Sequence, residues 1–537
     1  MYVTFSDPGI PAERRAEIAS VLRRICVGQG RGRWRNRPDE IVVMRRMTGG
    51  TGGSDVLVVV VRWQNHRRAQ VIKIGQSHDM RGEYDAFEKH LSEATALFAP
   101  IRAATPGVLD PDRARPGERE AVVYDHASLF VGKPEASART IEEVVQEALA
   151  RRGAGMDRAI AAVARLFEGV RSDLYERYEV RTGEESLEDD MNVRMGPALV
   201  VEIDHLAHPR ELVLRQAPSA PPAVVRRYPD DLLDASLDID AAIHPGEFVH
   251  LPDVEAVWRD HRLFAKPCED MRVQVELISH AGPIESIAAE IAHGAVLDVH
   301  GRVLSTRARA HRDRLVAGGT ELRFGKQIRG VGAEVSDPFP MLRRVLTERL
   351  AGRVVATVHG DLNPRNFLVV DDRQCLIDYA DTRDGQPLYT DFARLEGSLL
   401  RGALSALAWR EQVQLQRLLA AASRYGEGAA DVFATGLRDA RLEAVFRLLW
   451  TIRSAARSVQ PPGAGQPWWR EYLVHLFLFA HLTLKWPGQS AEALRATAAM
   501  AGVAAEVLEE GSIGSSARAE SQANVSQVLE YLQGLDR

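Results

Sequence analysis

The sequence predicts a two-lobed α+β fold in which a small sheet-rich lobe precedes a larger helical lobe. Three observations support this prediction. Short β-branched runs cluster near the start of the chain, among them "EIVVMRRM" (residues 40–47) and "VLVVVVRW" (56–63). Helical periodicity dominates from about residue 338 onward. One apolar hairpin with polar ends, "HGDLNPRNFLVVDDRQCLID" (359–378), interrupts that helical half.

Length and composition limit the classes of protein that are worth considering. A chain of 537 residues exceeds the 250 to 300 residues or so at which single cores stop growing, so we expect two or three folding units. Hydrophobic residues make up 45% and charged residues 26%, as is usual for globular proteins. The net charge of -6 gives no global field that would attract nucleic acid or a membrane surface. We therefore expect neither as a partner.

The cysteines and the apolar runs favour a cytoplasmic protein. The chain has three cysteines, Cys26, Cys268 and Cys375, and their spacing matches neither a disulfide framework nor a metal site. The first residues lack the pattern of a signal peptide. The longest apolar run (472–484) is shorter than the 20 residues or so that cross a bilayer, so we expect a buried helix there.

Changes in composition divide the chain into six predicted segments. They are an N-terminal helix and basic loop (1–38), a sheet-rich lobe (39–130), the helical start of the second lobe (131–178), a mostly β insertion (179–337), the hairpin with the helical lobe (338–510), and a linker with a terminal helix (511–537).

The hairpin carries the residue types that phosphoryl transfer requires. That reaction needs a carboxylate near the accepting hydroxyl and oxygen ligands for magnesium. Asp361 follows the run "RVVATVHG", and Asn366 lies five residues later on the same loop. The strands "FLVV" and "CLID", joined by the polar turn "DDRQ", would return Asp378 to the side of Asn366. An ordinary hairpin with polar turns would explain any two of these residues, but it does not explain the whole spacing.

The pattern H-G-D-x-x-x-x-N, followed by an apolar hairpin and I-D, resembles the catalytic core of the aminoglycoside phosphotransferase and choline kinase group, which are relatives of the protein kinases. The resemblance implies a bilobal protein-kinase-like fold that binds ATP or GTP with Mg²⁺. It implies Asp361 as catalytic base and Asn366 and Asp378 as magnesium ligands. It further implies that His359 supports the loop and that Asp391, in "TDFARLE", braces it.

The phrase "IDYADTRDGQPLYTDFARLE" also resembles bacterial phosphotransferase-like proteins that belong to the ternary-complex-associated domains of conflict systems. The resemblance to the phosphotransferase group covers about residues 40–178 and 338–500. It does not extend to the insertion, which could form a lid, a regulatory module or a surface for a protein partner. The C-terminal helix is a second candidate for a partner surface.

The sheet-rich lobe would hold the nucleotide. Lys73, in "VIKI", resembles the lysine that holds the α and β phosphates in kinases. Glu83 is its expected partner, with Glu88 as the alternative. Backbone amides of a glycine-rich turn can cradle phosphates, although a plain hairpin would also explain such a turn. Four glycines lie between two predicted strands: Gly49, Gly50, Gly52 and Gly53.

The run "VVYDHAS" falls where a hinge between the lobes would lie. The backbone of Tyr124, Asp125 and His126 is expected to bind the base of the nucleotide, although the end of a strand would look the same. The triplet "HRD" (311–313) copies a protein-kinase motif, but no hairpin with a second aspartate follows it. We therefore predict that it has no catalytic role.

Taken together, the sequence predicts a phosphotransferase that moves the γ-phosphate of ATP or GTP to a hydroxyl of a small molecule. A nucleotide-binding scaffold that does not transfer phosphate, or a protein kinase, are the alternatives. Recognition of a cationic acceptor is a further hypothesis, because the C-terminal helices carry six acidic residues: Glu411, Glu427, Asp431, Asp439, Glu443 and Glu471.

Overall fold

The computed structural model describes most of the chain. The described residues are 2–25, 38–47, 54–64, 66–94, 97–113, 118–125, 139–181, 187, 199–207, 225–227, 245–259, 262–267, 275–278, 296–348, 352–371, 373–486 and 488–510.

Within these ranges the strands are β1 (Tyr2–Phe5), β2 (Glu40–Met47), β3 (Asp55–Trp63), β4 (His66–Gln76), β5 (Ile101–Ala104), β6 (Arg119–Asp125), β7 (Arg139–Thr140), β8 (Glu179–Arg181), β9 (Leu199–Ala207), β10 (Val225–Arg227), β11 (Phe248–Arg259), β12 (Arg262–Pro267), β13 (Val275–Ile278), β14 (Val296–Thr306), β15 (Arg323–Phe324), β16 (Gln327–Gly330), β17 (Ala333–Ser336), β18 (Arg353–Val358), β19 (Phe367–Val370), β20 (Arg373–Leu376) and β21 (Arg383–Pro387).

The α-helices in the same ranges are α1 (Ala12–Ile25), α2 (Ser77–His90), α3 (Pro106–Leu109), α4 (Ile141–Ala150), α5 (Met156–Val170), α6 (Arg307–Ala317), α7 (Phe339–Thr347), α8 (Thr390–Arg401), α9 (Trp409–Tyr425), α10 (Glu427–Gly436), α11 (Ala440–Ser458), α12 (Trp468–Thr483) and α13 (Ala491–Glu510). None of them combines the length and the apolar character that crossing a membrane requires.

The N-terminal lobe is a six-stranded sheet in the order β1-β2-β3-β4-β6-β5. Burial alternates along β3, as expected for a strand with one face on a core. Helix α1 packs Ile18 and Leu22 against this face, where they meet Val59 of β3. The first strand, β1, was not predicted; it is short, and it pairs in parallel with β2.

The C-terminal lobe is helical and surrounds the hairpin of β19 and β20. Every residue of β18 and of β19 is buried, which is why the sequence there reads as continuous apolar runs. Strand β19 lies between β20 and β7, and β18 lies between β21 and β8. Helix α4 begins with a capping box between Thr140 and Glu143. Within the segment 131–178, which was predicted to be helical, α5 is followed by a π-helical turn, Arg171–Tyr175.

The insertion contains a second six-stranded sheet, in the order β10-β11-β12-β13-β9-β14. Strand β11 also pairs with β14. The five strands β11-β12-β13-β9-β14 therefore form a closed barrel. After the barrel, α6 and the small sheet β15-β16-β17 pack on the helical lobe. Their shared core includes Leu315, Val335 and Trp409.

This architecture has the predicted α+β layout, with a sheet-rich N-terminal lobe, a mostly β insertion and a helical C-terminal lobe. The exact boundaries of the six predicted segments remain predictions.

Candidate active site

Lys73 stands at the centre of the site, between two carboxylates. Its Nζ lies 2.7 Å from Oε2 of Glu83 and 2.6 Å from Oδ1 of Asp378. Lys73 belongs to β4, Glu83 to α2, and Asp378 follows β20 in the other lobe. The ammonium group therefore links the sheet and the helix of the N-terminal lobe to the catalytic hairpin. Glu88, the alternative partner, is exposed on α2.

One ammonium group faces two carboxylates here, and this unequal number of charges affects the pKa values of Lys73 and Glu83. Burial acts to lower the pKa of Lys73, but attraction to Glu83 and Asp378 outweighs burial and raises it. Burial raises the pKa of Glu83 to about 7, while Lys73 opposes this shift. Because Glu83 is fully buried and Asp378 is partly exposed, Glu83 bears the larger desolvation cost.

Asp391 fixes the backbone of the catalytic loop at its start. Its carboxylate accepts hydrogen bonds from the amides of His359, at 2.7 Å, and Gly360, at 2.9 Å. The hydroxyl of Tyr175 donates to the same carboxylate at 3.1 Å. Burial raises the pKa of Asp391, although His359 and the two amides oppose that rise. His359 is also fully buried, and its Nε2 lies 3.1 Å from the carbonyl oxygen of Ile377.

Gly360 allows the loop to turn directly after His359. Its φ is +76°, in the left-handed region, and a Cβ there would lie 2.2 Å from the carbonyl oxygen of Asp381. Both conformation and space therefore require glycine at this position. The turn brings Asp361 to a partly exposed position, with 21% of its side chain accessible.

The carboxylate of Asp361 is held by three side chains. Its Oδ2 accepts hydrogen bonds from the amide groups of Asn366, at 3.0 Å, and Asn363, at 3.1 Å. Its Oδ1 forms an ion pair with Arg394. Arg394 also donates a hydrogen bond to the carbonyl oxygen of Gly360, so it contacts both the aspartate and the backbone that carries it.

Arg394 was missed by the analysis of the sequence. It lies three residues after Asp391 on α8, within the same "TDFARLE" segment. Residues three positions apart lie on one face of a helix. Arg394 therefore faces the same loop as Asp391 from α8. This spacing is the signal that could have identified it.

Asn366 and Asp378 are joined through the backbone of the hairpin. The amide of Ile377 donates to the carbonyl oxygen of Asn366 at 3.1 Å, which places Asp378 next to the loop. Asp378 has a φ of +71°, an unusual conformation for a residue with a side chain. The hairpin turn is shorter than the predicted four residues, because Val370 pairs with Arg373.

Tyr379, also missed from the sequence, packs where the two lobes meet. Its amide donates to Oε1 of Glu83 at 3.2 Å, and its hydroxyl donates to the carbonyl oxygen of Ala99 at 2.9 Å. Its ring contacts those of Phe87 and Tyr124, both from the N-terminal lobe. The sequence signal that could have identified Tyr379 is its position directly after Asp378.

The oxygen atoms of Asn366 and Asp378 are suitable ligands for a magnesium ion. Hard cations prefer oxygen ligands, and Mg²⁺ often uses one or two protein side chains together with phosphate oxygens. Asp378 offers a carboxylate that is partly exposed, and Asn366 uses its nitrogen to bind Asp361, which leaves its oxygen directed elsewhere. Among the described side chains no larger group of three or more histidine, cysteine or acidic ligands forms.

Two adjacent glutamates at the start of α4 link the lobes. Glu142 accepts a hydrogen bond from Nε of Arg365, in the catalytic loop, at 2.8 Å. Glu143 forms a 3.3 Å ion pair with Arg45 of β2, the strand that precedes the glycine-rich segment. The start of α4 therefore contacts both the loop that carries Arg365 and strand β2 of the N-terminal lobe.

Several predicted residues do not join this cluster. Gly49, Gly50, Gly52, Gly53 and His126 lie outside the described residues. Tyr124 and Asp125 belong to β6, where the backbone of both pairs with β4. The side chain of Tyr124 is fully buried.

The side chains of the "HRD" triplet are not arranged for catalysis. His311 is buried in α6, while Asp313 is exposed on the same helix and pairs with Arg309. Most of the acidic residues that were predicted to bind a cationic acceptor have local partners. Glu411 and Asp439 both contact Arg441, Glu443 pairs with Arg447 on the same helix, and Glu427 accepts a hydrogen bond from Ser454. Glu471 is buried, and burial raises its pKa to about 7.

Comparison with known structures gives distant likenesses. One is a thermostable mutant of an aminoglycoside phosphotransferase in ternary complex with ADP and hygromycin B, at 10% identity and a TM-score of 0.30, covering 89% of this chain and 96% of that chain. A glucosamine kinase is similar at 13% identity and a TM-score of 0.27, covering 88% and 84%. A glucosamine kinase in complex with glucosamine, ADP and inorganic phosphate is similar at 12% identity and a TM-score of 0.27, covering 88% of this chain and 96% of that chain. Likenesses of this size say nothing about the substrate.

No curated protein matches the sequence. A family described as ternary complex associated domain 9 matches residues 39–485, which span both lobes and the insertion. The match includes Lys73, Glu83, Asp361 and Asp378. The chain therefore belongs to the ternary complex associated domain 9 family.

Proposed function

We propose that this protein is a magnesium-dependent phosphotransferase that moves the γ-phosphate of ATP or GTP to a hydroxyl of a small molecule. The observation that carries the proposal is the position of Lys73, whose ammonium lies between Glu83 and Asp378 and so joins the two lobes. Phosphoryl transfer depends mainly on positioning and on stabilisation of charge. The buried ammonium of Lys73, beside the carboxylate of Asp378 that could bind a metal ion, supplies both requirements.

Each residue of the cluster has a distinct task in this proposal. Glu83 orients Lys73, which neutralises phosphate oxygens of the nucleotide. Asn366 and Asp378 would hold Mg²⁺, which when bound neutralises the negative charge of the phosphates. Asp361 accepts the proton of the acceptor hydroxyl as the hydroxyl oxygen attacks the γ-phosphorus. The bond between that phosphorus and the bridging oxygen breaks, and the nucleoside diphosphate leaves.

Arg394 acts through Asp361 as a positioning residue. With Asn363 and Asn366 it fixes the carboxylate from three directions, so that the aspartate has little freedom to rotate. A general base must lie within hydrogen-bond reach of the proton that it removes, and fixed geometry serves that requirement.

A small hydroxyl compound is the acceptor class that we propose. Asp361 is partly exposed, whereas three of the six acidic residues of the C-terminal helices pair with arginines and a fourth, Glu471, is buried. They give no support to a dedicated site for a cation. Selectivity for a cationic acceptor is therefore not part of the proposal.

The test is a transfer assay with γ-labelled ATP and GTP, with and without Mg²⁺. A panel of small alcohols, sugars and amino sugars serves as acceptors, and phosphate release to water is followed in parallel. The proposal predicts label in an acceptor or in phosphate only when Mg²⁺ is present. Nucleotide binding without any loss of the γ-phosphate across the panel would contradict it.

A second candidate is a nucleotide-binding scaffold that does not transfer phosphate. The ion pair of Arg394 with Asp361 favours it, because a carboxylate oxygen that already binds a guanidinium group is less available to an acceptor hydroxyl. In that case Lys73 and Asp378 would bind nucleotide, and the insertion would act as a surface for a protein partner. The same assay distinguishes the two candidates.

A further inference from the structure

Helix α8, which carries Arg394 to Asp361, keeps one narrow stripe of accessible surface. Eight of its twelve residues are buried. The residues that remain partly accessible are Thr390, Arg394, Ser398 and Arg401. They are spaced four, four and three positions apart, and residues three or four apart lie on one face of a helix. This α8 stripe therefore runs from the loop that carries Asp361 to the end of the helix.

Arg401, at the far end of the α8 stripe, has only neutral partners. Its Nε donates to Oγ1 of Thr497 at 3.0 Å, and its guanidinium group also donates to Oε1 of Gln489. Its Cζ lies 5.8 Å from the centre of the Trp486 ring. Among the residues that the structure describes, no carboxylate pairs with Arg401. The guanidinium group is therefore a cation without a counter-ion.

The missing counter-ion matters because Arg401 is half-buried. Burial lowers the pKa of Arg401 to about 10, and no attraction to a described carboxylate opposes that shift. Charges that are removed from water are normally paired, since an unpaired charge costs free energy. The negative end of the α8 dipole favours a cation here, but it is weaker than a full opposite charge. An anion beside Arg401 would supply the missing partner.

Lys485 brings a second positive charge to the same end of the stripe. Its Nζ lies 5.7 Å from the centre of the Trp486 ring, which Arg401 also contacts. Cations within about 6 Å of an indole ring are attracted to its face. Trp486 itself keeps accessible surface. Two cations and a partly accessible aromatic ring are a combination that suits a ligand with negative charge.

Glu142 borders the other side of the stripe, and it is already paired with a cation. A Cβ at Gly402, the residue after Arg401, would lie 2.6 Å from Oε1 of Glu142. Oε2 of the same glutamate accepts the hydrogen bond from Nε of Arg365. This carboxylate therefore compensates the charge of Arg365 and not that of Arg401.

We propose that the acceptor is an anionic hydroxyl compound and that Arg401 binds its phosphate or carboxylate group. This inference rests on the proposed function, because it assigns the acceptor of that reaction. Arg394 and Arg401 are seven residues apart, which is two helical turns or about 10 Å along α8. A small molecule that lies along the stripe would place a hydroxyl at Asp361 and its anionic group at Arg401. Guanidinium suits both anionic groups, because its paired N–H donors match their oxygens.

The test measures binding of glucose 6-phosphate, glucuronate and glucose to the full chain by calorimetry, with ADP and Mg²⁺ present to fill the proposed nucleotide site. The first two probes distinguish a phosphate from a carboxylate, and glucose has neither. Wild type is expected to bind at least one anionic probe about 10-fold or more tightly than glucose, and added salt should weaken that binding. Arg401→Gln should reduce this affinity to that for glucose and leave the affinity for ADP unchanged.

Thr497→Asp is a second variant that keeps Arg401 and gives it a carboxylate partner, so it should also abolish the preference for an anionic probe. Arg447→Gln, on the surface of α11, is the matched control and should bind the probes as wild type does. Absence of anion binding in wild type, or full affinity for the anionic probe in Arg401→Gln or Thr497→Asp, would overturn the proposal. Binding is measured without turnover, so intact anion binding without any transfer would contradict the proposed function and leave the Arg401 site in place.

Discussion

Nζ of Lys73 lies 2.6 Å from Oδ1 of Asp378, although 305 residues separate the two along the chain. The contact joins β4 of the N-terminal sheet to the residue that follows the hairpin of β19 and β20. Glu83 completes the group from α2 at 2.7 Å. The lobes are thus connected by one buried ammonium, and the nucleotide that we propose would bind beside it.

Lys73→Met should destabilise the protein and weaken nucleotide binding. It leaves Glu83 buried and Asp378 without its cation, and removing one member of a buried pair costs about 3 to 5 kcal/mol. Urea denaturation followed by fluorescence measures the loss. Lys89→Met is the control, because Lys89 is exposed on the same helix as Glu83 and should cost less than about 0.5 kcal/mol.

The double variant Lys73→Met with Glu83→Gln isolates the charge effect. If the unpaired carboxylate causes the instability, the double variant should be more stable than the sum of the two single changes predicts. Simple additivity would mean that packing around Lys73, and not its charge, holds the lobes together. The measurement is the same urea titration on all three variants.

Gly360→Ala should disrupt the catalytic loop. The new Cβ would lie 2.2 Å from the carbonyl oxygen of Asp381, in addition to the strain of a φ of +76°. Gly488→Ala is a matched control, since its φ is +72° but nothing lies within 4 Å of its Cβ. We expect Gly488→Ala to cost about 1 to 2 kcal/mol and Gly360→Ala clearly more, by thermal unfolding. Equal costs would show that the loop can move away from Asp381.

Arg394→Gln should slow transfer without changing the affinity for nucleotide. Asp361 would lose one of its three contacts, and a displacement of about 1 Å at a reacting group can cost roughly 10²-fold. Arg394→Lys should recover part of the rate, because a cation returns. Arg447→Gln, on the surface of α11, is the control. A faster rate in Arg394→Gln would instead identify Arg394 as an inhibitory contact.

His481 should make the protein sensitive to acid. Burial lowers the pKa of His481 to about 3, assisted by Arg307, and neither ring nitrogen has a hydrogen-bond partner among the described residues. Between pH 6.5 and about 3 the unfolded chain binds the proton and the folded chain does not, so stability falls as the pH falls. The slope should be about 1.4 kcal/mol per pH unit.

His481→Leu removes this proton-binding difference and should flatten part of the pH dependence of urea unfolding. Burial also lowers the pKa of His311, whose ring lies 6.3 Å away, so a residual slope of the same sign is expected from it. An unchanged slope in His481→Leu would show that other groups control acid stability.

The sequence predicted the residues whose chemistry depends on local spacing. Asp361, Asn366 and Asp378 sit on one loop and one hairpin, so short-range rules sufficed to bring these three together. Lys73 was assigned through its resemblance to the kinase lysine. The mostly β insertion was visible in the same way, from short strand-like runs and proline-rich or glycine-rich breaks.

Residues that act across the fold were harder to predict. Arg394 reaches Asp361 from another helix, and Tyr379 binds Glu83 from 296 positions away. The closure of the insertion barrel depends on strand order and register, which composition does not determine. The two-residue turn of the hairpin was predicted too long because four polar residues suggested a longer loop, whereas Asp371 adopts a positive φ and closes a tight turn.

The most direct test of the account compares phosphate release from γ-labelled nucleotide by wild type, Asp361→Asn and Asp313→Asn under single-turnover conditions with Mg²⁺. Asp313, in the "HRD" triplet, is the matched control because it is an exposed aspartate outside the site. The account predicts that Asp361→Asn binds nucleotide normally and is roughly 10² to 10⁴ slower, while Asp313→Asn keeps the wild-type rate. Equal rates for Asp361→Asn and wild type would contradict the assignment of Asp361 as the base.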